Sequence, residues 1–178
     1  MVEMQVHKIG LSPDGEALVI LVDVEQTRLM AIVVGTYEAR SIAMELQGEK
    51  FERPLTHDLF ADTLAAVEQV LERIEVVKLE GGTYYALMTL RGPDGVLRQL
   101  DARPSDAIAI ALRCGAPIYV ADPVLAQSQI LFSDLEAAEE VDKFRELMET
   151  VELGETQQGS SPPPTAQDDE ATETEDEP

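Results

Sequence analysis

Two short polar clusters interrupt otherwise apolar stretches of the sequence, and both contain residue types that bind or cleave phosphate esters. The first cluster occupies residues 53–58 and reads RPLTHD, and the second occupies residues 101–106 and reads DARPSD. Histidine exchanges protons near neutral pH, carboxylates hold divalent cations or activate water, and arginine binds phosphate through paired hydrogen bonds. The candidate site residues are Arg53, His57, Asp58, Arg103, Ser105 and Asp106.

These residue types predict separate roles if the two clusters meet. His57 is the candidate acid or base, and Asp58 and Asp106 are candidate bases or ligands of Mg²⁺ or Mn²⁺. Arg53 and Arg103 are the candidate phosphate-binding residues. The structural alternative is helix capping, with the arginines paired to nearby carboxylates. Spacing alone leaves both interpretations open.

Each cluster lies at the predicted start of a helix, where free backbone amides favour an anion. Thr56 is a candidate N-cap for a helix of about four turns, and the second predicted helix spans residues 104–114 and ends at Gly115. Residues 104–114 carry alanine, isoleucine and leucine on nearly every side, which predicts a buried helix. The apolar stripe of the first helix consists of Phe60, Leu64, Val67 and Leu71.

The remaining elements are predicted from alternation and turn signals. An earlier helix, capped by Thr36, runs to Leu46, and its glutamates, Glu38 and Glu45, are interpreted as parts of a solvated face. Its predicted core-facing residues are Tyr37, Ile42, Ala43 and Leu46. The predicted strands are residues 2–11, 16–24, 28–34, 73–79, 83–91, 96–102 and 117–121.

This order of elements predicts an α+β fold, with one compact domain whose mainly antiparallel, or mixed, sheet is packed by helices. We assign residues 1–132 to the domain, 133–153 to a C-terminal helix and 154–178 to a disordered acidic tail. The tail contains no aromatic residue, leucine, isoleucine or valine, so it cannot bury enough apolar surface to fold. Exposed sheet edges predict a homo-oligomer, and the acidic tail is a candidate arm for a protein partner.

The charge, the cysteine count and the lengths of the apolar segments limit the kinds of protein that this sequence can encode. The net charge is −22, and residues 146–178 contribute 11 of the 35 acids and no base. The other residues still hold 24 acids against 13 bases, which disfavours simple electrostatic binding of nucleic acid. A single cysteine, Cys114, excludes an intramolecular disulfide, and no segment has the length of a membrane span. These features predict a soluble, cytoplasmic protein with no organic cofactor.

Three segments together resemble the bifunctional nuclease family: GEKFERPLTHDLF, GGTYYALMTL and DARPSDAIAIALRCGAPIYVADPVL. The resemblance covers residues 4–124, and the order and spacing of the segments agree with it. It implies a small α+β domain and cleavage of both DNA and RNA, with single-stranded DNA or RNA as the expected partner. It also places the six candidate residues at the polar motif positions of the family. The alternative is a non-enzymatic module that binds an anion or a protein.

Truncation after Leu153 is expected to leave the melting temperature nearly unchanged, because the removed residues contain no large apolar side chain. Thermal denaturation of the full chain and of the truncated chain checks this prediction. A decrease of more than a few degrees would show that the tail packs on the domain.

Overall fold

The computed structural model describes residues 1–128, which form one α+β unit. The predicted helix 133–153 and the predicted tail 154–178 lie outside the described residues. The described strands are β1 (Val2–Leu11), β2 (Ala17–Asp23), β3 (Leu29–Val33), β4 (Val70–Glu80), β5 (Thr83–Arg91), β6 (Leu97–Ala102) and β7 (Ile118–Val120). The described helices are α1 (Thr36–Gln47), α2 (Thr56–Ala66), α3 (Pro104–Cys114) and α4 (Asp122–Gln127).

The strands form one mixed sheet in the order β3-β2-β1-β7-β4-β5-β6. Every neighbouring pair is antiparallel except β4 and β7, which run parallel. The short strand β7 joins the hairpin at one end of the sheet to the meander at the other. The predicted α+β class with a mainly antiparallel, mixed sheet is confirmed.

Helices α1, α2 and α3 pack together on one face of the sheet. The main apolar cluster combines alternate strand residues such as Val19 and Ile74 with helical residues such as Ile42 and Ile108. Every residue of α3 from Pro104 to Ala111 is buried except Asp106, which confirms the burial predicted from the composition of the helix. No helix within residues 1–128 is long and apolar enough to cross a membrane.

The predicted length of α2 is wrong. The helix ends at Ala66, and Leu71 lies in β4. Glu68 adopts the left-handed conformation at φ 56°, while the amides of Glu68 and Gln69 donate to carbonyls in the last turn. This arrangement stops a helix, and glycine is its usual residue. Because glutamate occupies the position, the sequence carries no stop signal there.

Two details of the predicted helix starts and faces are also wrong. Gly35 and Leu55 are the N-cap residues, so Thr36 and Thr56 are the first helical residues. On α1, Ile42 is buried as predicted, and Ala43 is half-buried. Tyr37 and Leu46, in contrast, are exposed over 75% and 43% of their surface. The core side of α1 instead includes Ala39, Ser41 and Met44.

The connection between β2 and β3 is organised by one carboxylate. Asp23 is 2% exposed and accepts hydrogen bonds from the backbone amides of Thr27 and Arg28 and from both of their side chains. The hydrogen bonds from Arg28 are the largest cause that lowers the pKa of Asp23 well below its ordinary value of 3.8. The ionised carboxylate therefore stabilises the folded state.

Acid is expected to destabilise the fold partly through Asp23. Because its folded pKa lies below its unfolded pKa, this stabilisation is complete above the unfolded value and is lost as the pH falls through the folded value. The free energy of unfolding should decrease as the pH falls below about 4, and Asp23→Asn should show a shallower decrease. Urea denaturation at several pH values measures both slopes. Identical slopes would contradict the assignment.

Candidate functional site

A cleft of about 660 Å³ lies at the first turns of three helices. Glu38 and Ser41 line it from α1, Thr56 and His57 from α2, and Asp106 from α3. Arg103, the N-cap residue of α3, completes the polar lining. The first turn of a helix has backbone amides without intrahelical partners, and the helix dipole favours an anion there. Part of each sequence cluster thus contributes to one cleft.

His57 joins the two sequence clusters and also reaches α1. Its Nε2 lies 3.2 Å from Oδ1 of Asp106, and its Nδ1 lies 2.8 Å from Oγ of Ser41. The imidazole is 14% exposed, whereas the Asp106 side chain is 28% exposed. Both ring nitrogens are therefore engaged within the protein, and the carboxylate is the more accessible end of the Ser41–His57–Asp106 chain.

Arg103 connects Asp106 to Glu38. Its Nε donates to Oδ2 of Asp106 at 2.6 Å, and its Nη2 donates to Oδ1 of Asp106 at 3.0 Å and to Oε1 of Glu38 at 2.7 Å. Glu38 folds back over the helix start, where a Cβ on Gly35 would collide with its Oε2. The missing side chain of Gly35 therefore leaves room for the Glu38 carboxylate beside Arg103.

The contacts of Asp106 keep its carboxylate ionised and thereby determine which nitrogen of His57 carries a proton. Burial acts to raise the pKa of Asp106, but the hydrogen bonds from Arg103 and His57 outweigh it, so the pKa lies below its usual range. The two carboxylates around Arg103 raise the pKa of its guanidinium, which stays charged. Because ionised Asp106 only accepts, Nε2 of His57 carries a proton and donates it to Oδ1 of Asp106.

Asp58 does not share this cleft. It lines a neighbouring cavity of about 340 Å³, where it accepts from Nε of Arg113 at 2.5 Å. It also accepts from the Leu55 amide at 2.8 Å, which caps the start of α2. Burial acts to raise its pKa, but the contacts with Arg113 and Leu55 produce a net decrease. Asp58 thus has the structural partners expected from the capping interpretation.

The other two candidate residues lie outside the cleft lining. Arg53 is exposed in the loop before α2 and lines neither cavity. Ser105 is 6% exposed in the first turn of α3, among the buried residues of that helix. Of the six candidates, the structure brings His57, Arg103 and Asp106 together and places Arg53, Asp58 and Ser105 elsewhere.

Sequence reasoning missed three residues that hold the site. Ser41 orients His57, and Glu38 was assigned to a solvated face although its side chain is 17% exposed beside Arg103. Arg113 is 6% exposed and donates to Asp58 and to the carbonyl oxygens of Ala109 and Ser41, so it ties α3 to α1 and α2. Only Arg113 had a sequence signal, because a cation in a helix that must be buried requires an acceptor.

The described residues do not form a ready-made metal site. No group of three His, Cys, Asp or Glu side chains within residues 1–128 is arranged to hold a metal ion. Asp58 and Asp106, the predicted ligands, line different cavities and are each paired with an arginine. The residues as arranged do not fit a divalent cation, so we assign no step to one.

Comparisons with known proteins match most of this chain. The family model described as "Bifunctional nuclease domain" matches residues 19–133, which include the whole cleft. Two proteins of Mycobacterium tuberculosis, from strains CDC 1551 and H37Rv, are each 39% identical over 158 residues, covering 83% of this chain and 94% of the relative. Both relatives are described as uncharacterized. The chain belongs to the bifunctional nuclease domain family.

Proposed function

We propose that the protein hydrolyses phosphodiester bonds of DNA and RNA in the cleft at the three helix starts. The observation that carries the proposal is the contact of Arg103 with the His57–Asp106 pair at that position. Membership of a family described as a bifunctional nuclease domain supports the same reaction. The reaction adds water across a P–O bond and releases a phosphate monoester and an alcohol.

Arg103 binds the phosphate in this proposal. Its side chain is 67% exposed, and Nε and Nη2 are held by Asp106 and Glu38. Nη1 forms no hydrogen bond within residues 1–128, so both of its N–H groups remain for a phosphate oxygen. A fixed guanidinium stabilises the charge that develops on phosphorus-bound oxygens without reorganising during the reaction.

His57 and Asp106 move the protons. The His57 contact with Asp106 is longer than its contact with Ser41, so Nε2 is the nitrogen that is more easily released to the cleft. Asp106 then accepts a proton from the attacking water, and the imidazolium form of His57 donates its Nε2 proton to the leaving oxygen. The proton on Asp106 passes to Nε2 of the resulting neutral imidazole, which restores both groups. Asp58 supports this site by holding the start of α2 through the Leu55 amide and Arg113, rather than by contacting the substrate.

A non-enzymatic binding module is the second candidate function, and the internal pairing of the cleft residues favours it. Both nitrogens of His57 and both oxygens of Asp106 already have partners within the protein, as in a purely structural network. Glu38 and Asp106 also pair with Arg103, so its charge is already balanced within the protein. In this alternative, Arg103 and the helix starts hold an anion without turnover.

Hydrolysis by the purified full-length chain separates these two functions. The substrates are bis(p-nitrophenyl) phosphate, single-stranded DNA and RNA, each assayed with Mg²⁺, Mn²⁺ or EDTA. We expect turnover of all three substrates, in EDTA as well, because the cleft, as the described residues arrange it, does not fit a divalent cation. Loss of turnover in EDTA would instead establish the metal requirement that the sequence suggested and would contradict the metal-free roles of His57 and Asp106. Binding of an oligonucleotide without turnover under any of these conditions would overturn the nuclease and establish the binding module.

A further inference from the structure

Two solvent-exposed aromatic side chains line the same cleft. Tyr37, in the first turn of α1, is 75% exposed, and Phe51, in the loop before α2, is 50% exposed. Both line the cleft together with Arg103. An aromatic ring carries a large apolar surface and a flat face, so exposed rings beside a cation form a surface for a flat ligand.

The charge of the cleft shows that phosphate attraction alone would hold a nucleic acid weakly. Its charged lining consists of Glu38, Asp106, Arg40 and Arg103, so the formal charge is zero. The chain as a whole carries −22. Binding of nucleic acid through its backbone requires several lysines or arginines that release counterions. A substrate in this cleft therefore needs another source of affinity.

We infer that the cleft recognises a short single-stranded segment mainly by stacking its bases on Tyr37 and Phe51, while Arg103 holds one phosphate. This inference rests on the proposed function and specifies its substrate. Bases in a duplex are paired and stacked on one another, so their faces are not available to the two rings. Stacking on aromatic side chains tolerates every base, because each base has a π-face. The same surface therefore serves DNA and RNA.

If stacking provides most of the affinity, the binding constant for a single-stranded oligonucleotide should depend only weakly on salt concentration. With one or two phosphates neutralised, the slope of log K against log[salt] should lie between about −0.7 and −1.4. A protein that binds through many cations shows a much steeper slope. The volume of about 660 Å³ falls within the range of roughly 300–1,000 Å³ that is usual for small-ligand pockets, so few nucleotides fit at once.

Fluorescence anisotropy with the full-length chain and a labelled ten-nucleotide oligothymidylate tests the inference. Tyr37→Ala and Phe51→Ala should each weaken binding by about 5- to 150-fold, whereas Tyr37→Phe keeps the ring and should bind like the wild type. Phe60→Ala is the matched control, since Phe60 is 40% exposed on α2 but does not line the cleft. Gel electrophoresis verifies that the oligonucleotide stays intact.

An abasic strand and a duplex distinguish recognition by base stacking from recognition of the phosphates alone. A strand of ten abasic sites keeps the phosphates but loses stacking on both rings, so it should bind the wild type at least as weakly as the oligothymidylate binds Tyr37→Ala. The inference is overturned if the abasic strand or a ten-base-pair duplex binds as tightly as the single strand, or if neither alanine variant weakens binding. Failure of the proposed function has a different signature, namely ring-dependent binding without hydrolysis of bis(p-nitrophenyl) phosphate.

Discussion

Arg103→Ala is expected to lower kcat/KM for phosphodiester hydrolysis by about 100- to 1,000-fold, because one fixed donor to a developing anion contributes about that much. His57→Ala and Asp106→Asn should lower it by about 100- to 10,000-fold, the usual contribution of a positioned acid or base. Arg103→Lys keeps the charge without the planar fork of donors and should fall between wild type and Arg103→Ala. Steady-state assays with bis(p-nitrophenyl) phosphate measure each variant.

Arg98→Ala is the matched control for charge. Arg98 is 48% exposed, pairs with Asp94 and lies on the edge strand β6, outside the cleft lining. The substitution Arg98→Ala removes a positive charge and an ion pair with an aspartate, as Arg103→Ala does. Because Arg98 lies outside the cleft, kcat/KM of this variant should match that of the wild type. If Arg103→Ala, His57→Ala and Asp106→Asn all fold and retain full activity, the observed hydrolysis comes from a contaminating nuclease. Circular dichroism establishes that each variant is folded.

Among the substitutions considered for this protein, Arg113→Met is expected to lower the free energy of unfolding the most. The methionine retains the apolar length of the side chain but removes the donors to Asp58, Ala109 and Ser41. Breaking a buried ion pair costs about 3–5 kcal/mol, and the 32% exposure of Asp58 reduces this to about 2–4 kcal/mol. For a folded unit of this size, the melting temperature should fall by about 6–16 °C.

Arg91→Met provides the comparison for this effect. Arg91 also makes two hydrogen bonds to a carboxylate, that of Glu72, but its side chain is 50% exposed. Exposed ion pairs contribute little to stability, so its melting temperature should stay near that of the wild type. Differential scanning calorimetry measures both variants. An equal decrease in the two variants would show that the burial of Arg113 has no special role.

The candidate cleft was only partly predictable from sequence. His57, Arg103 and Asp106 were identified by residue type, and the structure places them in contact across α2 and α3. Ser41 and Glu38 were missed because their roles depend on side chains more than ten residues away in the chain. Asp58 follows His57 directly, yet successive helical residues point about 100° apart, so it lines a different cavity.

Local pattern was sufficient for the class of the fold and for most of its elements. Alternation and turn residues predict the hairpin and the meander, and the uniform apolar composition of residues 104–114 predicts the burial of α3. Each of these signals is contained within about ten successive residues. Three segments of the sequence likewise carry the resemblance to the bifunctional nuclease family, and the family match confirms it.

The tertiary structure alone decided which polar residues meet and which aromatic residues stay in water. Short β7 pairs with both β1 and β4, which makes one sheet of the hairpin and the meander beneath the helices. The start of α1 is thereby placed beside those of α2 and α3. Tyr37 suits a helix core by type, but that end of α1 faces the cleft, so the ring is exposed. Contacts between distant segments determine both outcomes, and no local pattern encodes them.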